Sequence, residues 1–192
     1  MITRLSDGLL KISKPLWVLT SLVVFLFLII VILPQQSAEA EEYTADVGSP
    51  DTSFYYSSQR LYDMADGYGL EGRQAYINAR FTFDLIWPIV YALFLSLSIG
   101  WTVKGLQLKA DRWQRLNIVP ILGLVFDYLE NIFASIVMAR YPAKTIVISS
   151  LSGLFTSLKW IFIGASFVIL VGSLILLILR KLTRSRKVKQ NQ

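Results

Sequence analysis

The segment Leu116–Met138, LNIVPILGLVFDYLENIFASIVM, is apolar enough to cross a bilayer but carries polar residues at its centre and just beyond it. A membrane helix needs about 20 predominantly apolar residues. Asp127, Glu130 and Asn131 follow i, i+3, i+4 spacing, so they share one helix face. Because charge at membrane depth is expensive, such residues usually face a protein interior or a hydrated cavity. The segment therefore predicts a transmembrane helix and indicates where function is expected.

The composition excludes several classes of protein. Of 192 residues, 54% are hydrophobic, and the mean hydropathy of +0.53 is too high for an ordinary soluble domain. The absence of Cys and His excludes disulfides, zinc sites and Cys or His nucleophiles. The acids Asp63, Asp66 and Glu71 do not match a calcium-loop motif. We therefore expect neither a metal nor a cofactor.

The apolar pattern predicts an all-α polytopic membrane protein with four transmembrane helices in one domain, 1–192. The expected spans are residues 16–33, 84–103, 116–139 and 155–179. The net charge of +6 is concentrated beside these runs, which indicates topology rather than a nucleic-acid partner. Both termini, including the basic tail 180–192, are therefore predicted to be cytoplasmic, with the acidic loop 34–83 extracytoplasmic. Ala38-Glu39-Ala40 resembles a signal-peptide cleavage site, but the preceding run is long and we expect it to be retained.

The loop 34–83 is predicted to form a helical hairpin after an irregular linker. Residues 34–53 are small, acidic and turn-rich, which favours a linker. A short helix is expected over 54–64, ended by Gly67 and Gly69. A second helix is expected to start near Leu70 and to run without a break into span two. In span four, the small residues Ser157, Gly164, Ala165 and Gly172 are predicted to allow close helix contact.

The charged residues of different spans are expected to meet in the outer half of the bundle. With a rise of about 1.5 Å per residue, Glu130 and Lys159 come to comparable depths. Asp84 follows Arg80 by one helical turn. Two interpretations remain open: the charges are ion pairs that fix helix packing, or they line a hydrated cleft open to the outer surface. Acids outnumber bases here, and Asp127, the deepest, is the acid we expect to hold a proton.

A cleft would make this region a binding site for a small polar ligand or a lipid headgroup. The candidate ligand-binding residues are Arg73, Arg80, Asp84, Tyr91, Asp127, Glu130, Asn131 and Lys159. Among them, Arg73, Arg80 and Lys159 are expected to contact an anionic group. One alternative is a non-catalytic subunit or assembly factor of a larger membrane complex. The other is a small intramembrane enzyme using carboxylates, which is disfavoured because no G-x-S-x-G motif or phosphate-binding glycine loop occurs.

The expected partners are membrane lipids, together with a membrane-protein partner or further copies of the chain. Four short motifs occur in order: Glu71-Gly72-Arg73 with Tyr76, Asp84 with Pro88 and Tyr91, Asp127 with Glu130-Asn131, and Thr156 with Lys159-Trp160. Together they resemble a family of small four-span bacterial membrane proteins, over roughly residues 55–172. The resemblance implies a bacterial inner membrane and one shared site rather than incidental ion pairs. It implies no activity, substrate or cofactor.

Overall fold

The structure of the protein is a computed structural model. It describes residues 2–44, 47–107 and 111–190. Within these ranges every regular element is helical. Four helical segments are long and apolar enough to cross a membrane: Pro15–Thr44, Gly69–Leu106, Arg115–Arg140 and Ile146–Thr183. The all-α prediction and the four spans are confirmed at this level, and each segment extends beyond its predicted bounds.

The helices follow one another with short connections. In chain order they are α1 (Ile2–Ile12), α2 (Pro15–Phe27), a π-helical stretch (Leu28–Ile32), α3 (Leu33–Thr44), a 3₁₀ turn (Pro50–Thr52), α4 (Ser58–Gly67), α5 (Gly69–Arg80), α6 (Phe83–Leu106), α7 (Asp111–Gln114), a second 3₁₀ turn (Arg115–Ile118), α8 (Val119–Arg140) and α9 (Ile146–Gln190). We call Pro15–Thr44, which comprises α2, the π-helical stretch and α3, the first span.

At the core of the bundle, α8 packs against α9, and α6 packs against both of these helices. The close approach of α8 to α9 depends on Gly123, where an added Cβ would come within 3.1 Å of the Ile163 side chain. The first span packs mainly against α6. There Phe25 stacks on Phe94 with ring centroids 4.6 Å apart. The first span is therefore attached to the bundle through one neighbouring helix along most of its membrane length.

The helices α4 and α5 form a hairpin that packs on one end of α8. Its buried side chains, Leu61, Met64 and Tyr76, join Ala134 and Met138 of α8 in one apolar cluster. Ser57 starts α4 by accepting a hydrogen bond from the Arg60 amide at 3.2 Å. Gly69 has φ +63, a left-handed conformation that ends α4 and turns the chain into α5. The predicted role is thus confirmed for Gly69, whereas Gly67 is the last residue of α4 and has no positive φ. The side of the membrane on which the hairpin lies is a proposal made below.

The expected irregular linker over 34–53 is wrong in its first part, because the helix continues as α3 to Thr44. Residues 35–42, QQSAEAEE, are mostly good helix formers once a helix has started. Pro34 lacks an amide donor and would normally disturb an α-helix. It lies two residues after the π-helical stretch Leu28–Ile32, where the regular hydrogen-bond ladder is already altered. The first span therefore continues through Pro34.

Two further expectations are also wrong. The chain is not one unbroken helix from Leu70 into α6, because Phe81 and Thr82 leave helical geometry. The Thr82 hydroxyl donates to the Asn78 carbonyl oxygen at 2.8 Å, a local bond that competes with the helical ladder.

Gly164 and Gly172 do not support close packing, since a Cβ at either would meet no atom within 4 Å. They lie on the exposed face of α9.

Candidate functional site

Lys159 of α9 and two acids of α8 form the centre of a buried charged cluster. The Lys159 Nζ lies 2.5 Å from Glu130 Oε2 and 4.0 Å from Asp127 Oδ1. Glu130 is completely buried, and Lys159 is 4% exposed. The expected proximity of Glu130 and Lys159 is thus confirmed. The i, i+3 spacing places Asp127 and Glu130 on the same face of α8, so both acids face Lys159.

Glu130 is also held from the segment that precedes α4. Its Oε1 accepts hydrogen bonds from the Thr156 hydroxyl at 2.6 Å and from the Tyr56 hydroxyl at 3.2 Å. The Tyr56 and Ser152 oxygens lie 2.7 Å apart. Burial, together with the nearby Glu130 carboxylate, raises the pKa of Tyr56. Tyr56 therefore stays protonated and serves as a donor to the carboxylate.

Tyr56 reaches this position because its backbone lies directly on α9. A Cβ added at Gly153 would overlap the Tyr56 carbonyl oxygen. One and two turns along α9, Ser157 donates to the Phe54 carbonyl oxygen at 3.0 Å, and the Trp160 indole donates to the Ser53 carbonyl oxygen at 3.1 Å. The glycine thus allows an extended segment to lie against the helix, and two side chains fasten it there.

Asp127 connects the cluster to α6. Its Oδ2 accepts a hydrogen bond from the Tyr91 hydroxyl at 3.1 Å, and its Oδ1 accepts one from the Asn131 amide at 3.2 Å. Tyr91, Asn131 and Asp127 are all buried. Three of the four sequence motifs therefore contribute to one connected network. The motif that begins at Asp84 contributes Tyr91. The motif at Asp127 contributes Asp127, Glu130 and Asn131, and the motif at Thr156 contributes Thr156 and Lys159.

A second charged group surrounds Arg80, at the end of α5. Its Nη1 lies 2.5 Å from Asp51 Oδ1 and 2.8 Å from Asp84 Oδ2. The guanidinium also lies over the Tyr76 ring, 4.5 Å from its centroid. Burial raises the pKa of the Asp51 carboxyl, but the Arg80 and Lys159 cations outweigh burial and hold that pKa below its usual value. Asp51 is therefore a charged partner of Arg80.

A cavity of about 450 Å³ lies between the first span, α6 and α9, with both charged groups at one end. This volume falls within the usual range of small-molecule sites. The residues at its polar end are Asp51, Arg80, Asp84, Asp127 and Lys159. The apolar walls are formed by Phe25, Ile29 and Leu33 of the first span, Trp87 of α6, and Ile163 and Phe167 of α9. The cavity is therefore amphipathic along its length.

Comparison of the chain with protein-family models, curated proteins and solved structures gave no match. The motif resemblance to a four-span family stays a prediction.

The cavity brings together most of the predicted ligand-binding residues. Arg80, Asp84, Tyr91, Asp127 and Lys159 line it. Glu130 and Asn131 are buried and connect to it through Lys159 and Asp127. Their role in binding stays a prediction.

Arg73 lies apart from the cavity-lining residues. Its Nη1 donates to the Ala65 carbonyl oxygen at 2.7 Å, and its guanidinium lies over the Tyr141 ring at 4.8 Å. These contacts connect α5 with α4 and with the end of α8. The geometry thus gives Arg73 a place in the packing of the hairpin.

Several site residues escaped the sequence analysis. Asp51 lay in the segment interpreted as a linker, although Ser49-Pro50-Asp51 carries a helix-entry signal that the structure realises as a 3₁₀ turn capped by Ser49. Tyr56 and the first-span wall, Phe25 and Ile29, gave no local signal, because they reach the site through contacts distant in sequence. Within the described ranges, no group of three or more acids is placed to hold a metal ion.

Proposed function

We propose that the protein is an integral membrane protein that binds an amphiphile in this cavity. The polar headgroup enters the charged end, and the apolar chain lies along Phe25, Ile29, Ile163 and Phe167. The observation that carries the proposal is that one continuous cavity joins a charged end to apolar walls. A small polar solute would need only the charged end, whereas an amphiphile matches both ends.

The walls give the cavity a side that faces lipid. The first span packs mainly against α6, so the cavity occupies the space between the first span and α9. Trp160 and Phe167, which line it from α9, are each 39% exposed. Because α9 is proposed to span the membrane, the exposed surfaces of these two side chains face lipid. This arrangement supports entry of a ligand from the membrane rather than from water.

The charge distribution supports an orientation for the site. Lys and Arg are concentrated before the first span, between α6 and α8, and in the last part of α9, residues 180–189. By the positive-inside rule, both termini are cytoplasmic and the α4–α5 hairpin is extracytoplasmic. The charged end of the cavity then lies in the outer half of the bilayer, beneath the hairpin. We place the protein in the bacterial cell membrane on this basis and on the motif resemblance.

The alternative functions make different demands on the structure. A packing subunit whose charges only hold helices together predicts no cavity beside them, so the cavity favours binding. An intramembrane enzyme needs a carboxylate free to act near a reacting bond. Glu130 is engaged by Lys159, Thr156 and Tyr56 and does not line the cavity, so this role would fall to Asp51, Asp84 or Asp127, which do line it. These acids already have partners, since Asp51 and Asp84 pair with Arg80 and Asp127 accepts a hydrogen bond from Tyr91. The geometry therefore favours a binding protein.

The test is to fill the cavity and to measure bound lipid by native mass spectrometry. Ala40 of α3 lines the cavity, whereas Ala38 on the same helix is exposed and does not. We expect wild type and Ala38→Trp to retain a co-purified lipid through detergent exchange, and Ala40→Trp to lose it while keeping a cooperative unfolding transition. Equal retention by folded Ala40→Trp and wild type would show that the cavity does not hold the lipid.

A further inference from the structure

We infer that the headgroup bound in the cavity carries an ammonium group on an apolar chain. This inference rests on the proposed binding function and narrows its ligand class. It follows from the balance of charges at the polar end and from the aromatic rings around it.

Both cations of the site already have carboxylate partners. Arg80 is matched by Asp51 and Asp84, and Lys159 is matched by Glu130 at 2.5 Å with Asp127 at 4.0 Å. The described cluster thus sets four carboxyl groups against two cations. With Asp127 protonated, as expected from the sequence, three carboxylates still face two cations, which is a formal excess of negative charge. An uncompensated charge in a low-dielectric site is strongly disfavoured. A cation supplied by the ligand would offset this excess.

Two of the acids that line the cavity keep room for another donor. Asp127 accepts from the Tyr91 hydroxyl and the Asn131 amide, and its 4.0 Å separation from Lys159 Nζ is too long for a hydrogen bond. Asp84 is held by Arg80 through Oδ2. An ionised carboxylate offers about four acceptor positions. A primary ammonium has three N–H donors, which suits acceptors from both side chains.

Aromatic side chains supply a second feature suited to a cation. Trp87 and Tyr91 of α6 line the cavity beside Asp84, with ring centroids 5.9 Å apart in an edge-to-face arrangement. Trp160 lines it from α9 and lies under Lys159, whose Nζ is 5.5 Å from the ring centroid. Ring faces attract ammonium groups, and aromatic cages are a common means of recognising them.

A purely anionic headgroup fits the site less well. It would have to draw Arg80 or Lys159 away from buried carboxylates, which would then be left without a partner. Arg73, the third cation expected to contact an anion, is engaged with Ala65 and Tyr141. The charge balance therefore opposes the sequence-based expectation of an anionic group and favours an ammonium.

The ammonium could belong to an aminophospholipid or to a single-chain alkylamine. In the experiment, the purified full-length protein is incubated with mixed micelles that contain phosphatidylethanolamine, phosphatidylcholine, phosphatidylglycerol or a long-chain alkylamine. A separate sample contains ethanolamine alone. Retention is read by native mass spectrometry. We expect wild type to retain phosphatidylethanolamine over phosphatidylglycerol by about tenfold, the ratio that about 1.4 kcal/mol gives. Ethanolamine alone, without a chain, should not be retained.

The variants connect this preference to the site. Asp84→Asn and Asp127→Asn should each reduce the preference, whereas Asp63→Asn, at an exposed position, should leave it unchanged. Trp87→Leu, which removes a ring and no charge, provides a second route if the acid variants do not fold. Preference for phosphatidylethanolamine over phosphatidylcholine assigns recognition to the carboxylates, and equal retention assigns it to the rings. Retention of the alkylamine alone identifies a single-chain amine as the ligand class.

Two results would overturn the two claims separately. If wild type retains phosphatidylglycerol as well as phosphatidylethanolamine, and Ala40→Trp abolishes both, the ammonium inference is wrong and the binding function stands. If no lipid or alkylamine is retained, or if Ala40→Trp retains them as wild type does, the proposed function is wrong as well.

Discussion

Removing Lys159 should destabilise the bundle far more than neutralising its partner Glu130. Lys159→Met leaves two buried carboxylates, Glu130 and Asp127, without their shared cation. Breaking a buried ion pair in this way costs about 3–5 kcal/mol. Glu130→Gln is milder, at about 1–3 kcal/mol, because the amide oxygen can still accept from Thr156 and Tyr56 and Lys159 keeps Asp127.

The double variant measures the interaction itself. With methionine beside glutamine, neither member of the pair is left charged, so the loss should be smaller than the sum of the single losses by about 2 kcal/mol or more. Interhelical hydrogen bonds in membrane proteins contribute about 0.6 kcal/mol on average. A coupling free energy of about 2 kcal/mol therefore distinguishes a buried ion pair from an ordinary interhelical hydrogen bond.

The assay is reversible unfolding of the purified protein in mixed micelles, with free energies taken from the same detergent series for all variants. Lys144→Met is the matched control, because Lys144 is exposed in the α8–α9 connection, and it should change the free energy of unfolding little. Additive losses in the double variant, or a Lys159→Met loss no larger than that of Lys144→Met, would refute the argument that Lys159 neutralises the α8 acids.

Two further predictions concern the segment before α4. Gly153→Ala should destabilise the protein by about 1–3 kcal/mol, because the new methyl group overlaps the Tyr56 carbonyl oxygen; Gly164→Ala, at an open position, should be neutral or slightly stabilising in the same unfolding assay, and equal effects would contradict this reasoning. The Arg80 and Lys159 cations hold the pKa of Asp51 below 3.8, so the stability it contributes is complete above pH 3.8 and is lost as the pH falls through the folded pKa. The free energies of wild type and Asp51→Asn should therefore differ at about pH 6 and converge below pH 3.8, and a constant difference across that range would be inconsistent with the pair.

The features that could be predicted from the sequence are those that depend on local periodicity. The apolar runs mark the four spans, and the 3.6-residue period places Asp127 with Glu130. The constant helical rise brings Lys159 to the same depth. Each of these inferences needs only residues within one helix and the thickness of the bilayer.

What could not be predicted depends on contacts between distant residues. Tyr56 reaches Glu130 because Gly153, far along the chain, leaves space for its backbone. Asp51 reaches Arg80, 29 residues further along the chain, from the 3₁₀ turn Pro50–Thr52. Composition alone favoured a linker there, since small and acidic residues are common to linkers and to exposed helices. Only part of the polar end of the cavity could therefore be predicted from the sequence.

The length of the first span bears on how a bound lipid would exchange with the surrounding leaflet. Its 30 residues extend about 45 Å, as far as a bilayer with its headgroups. The first-span residues that line the cavity run from Phe25 to Thr44, and in the orientation proposed above this stretch reaches from mid-membrane to the outer end of the helix. A lipid seated there keeps its chain and headgroup at the heights they have in the leaflet. Exchange is then a sideways step in two dimensions, without the roughly 0.8 kcal/mol per methylene that exposing a chain to water would add to the barrier.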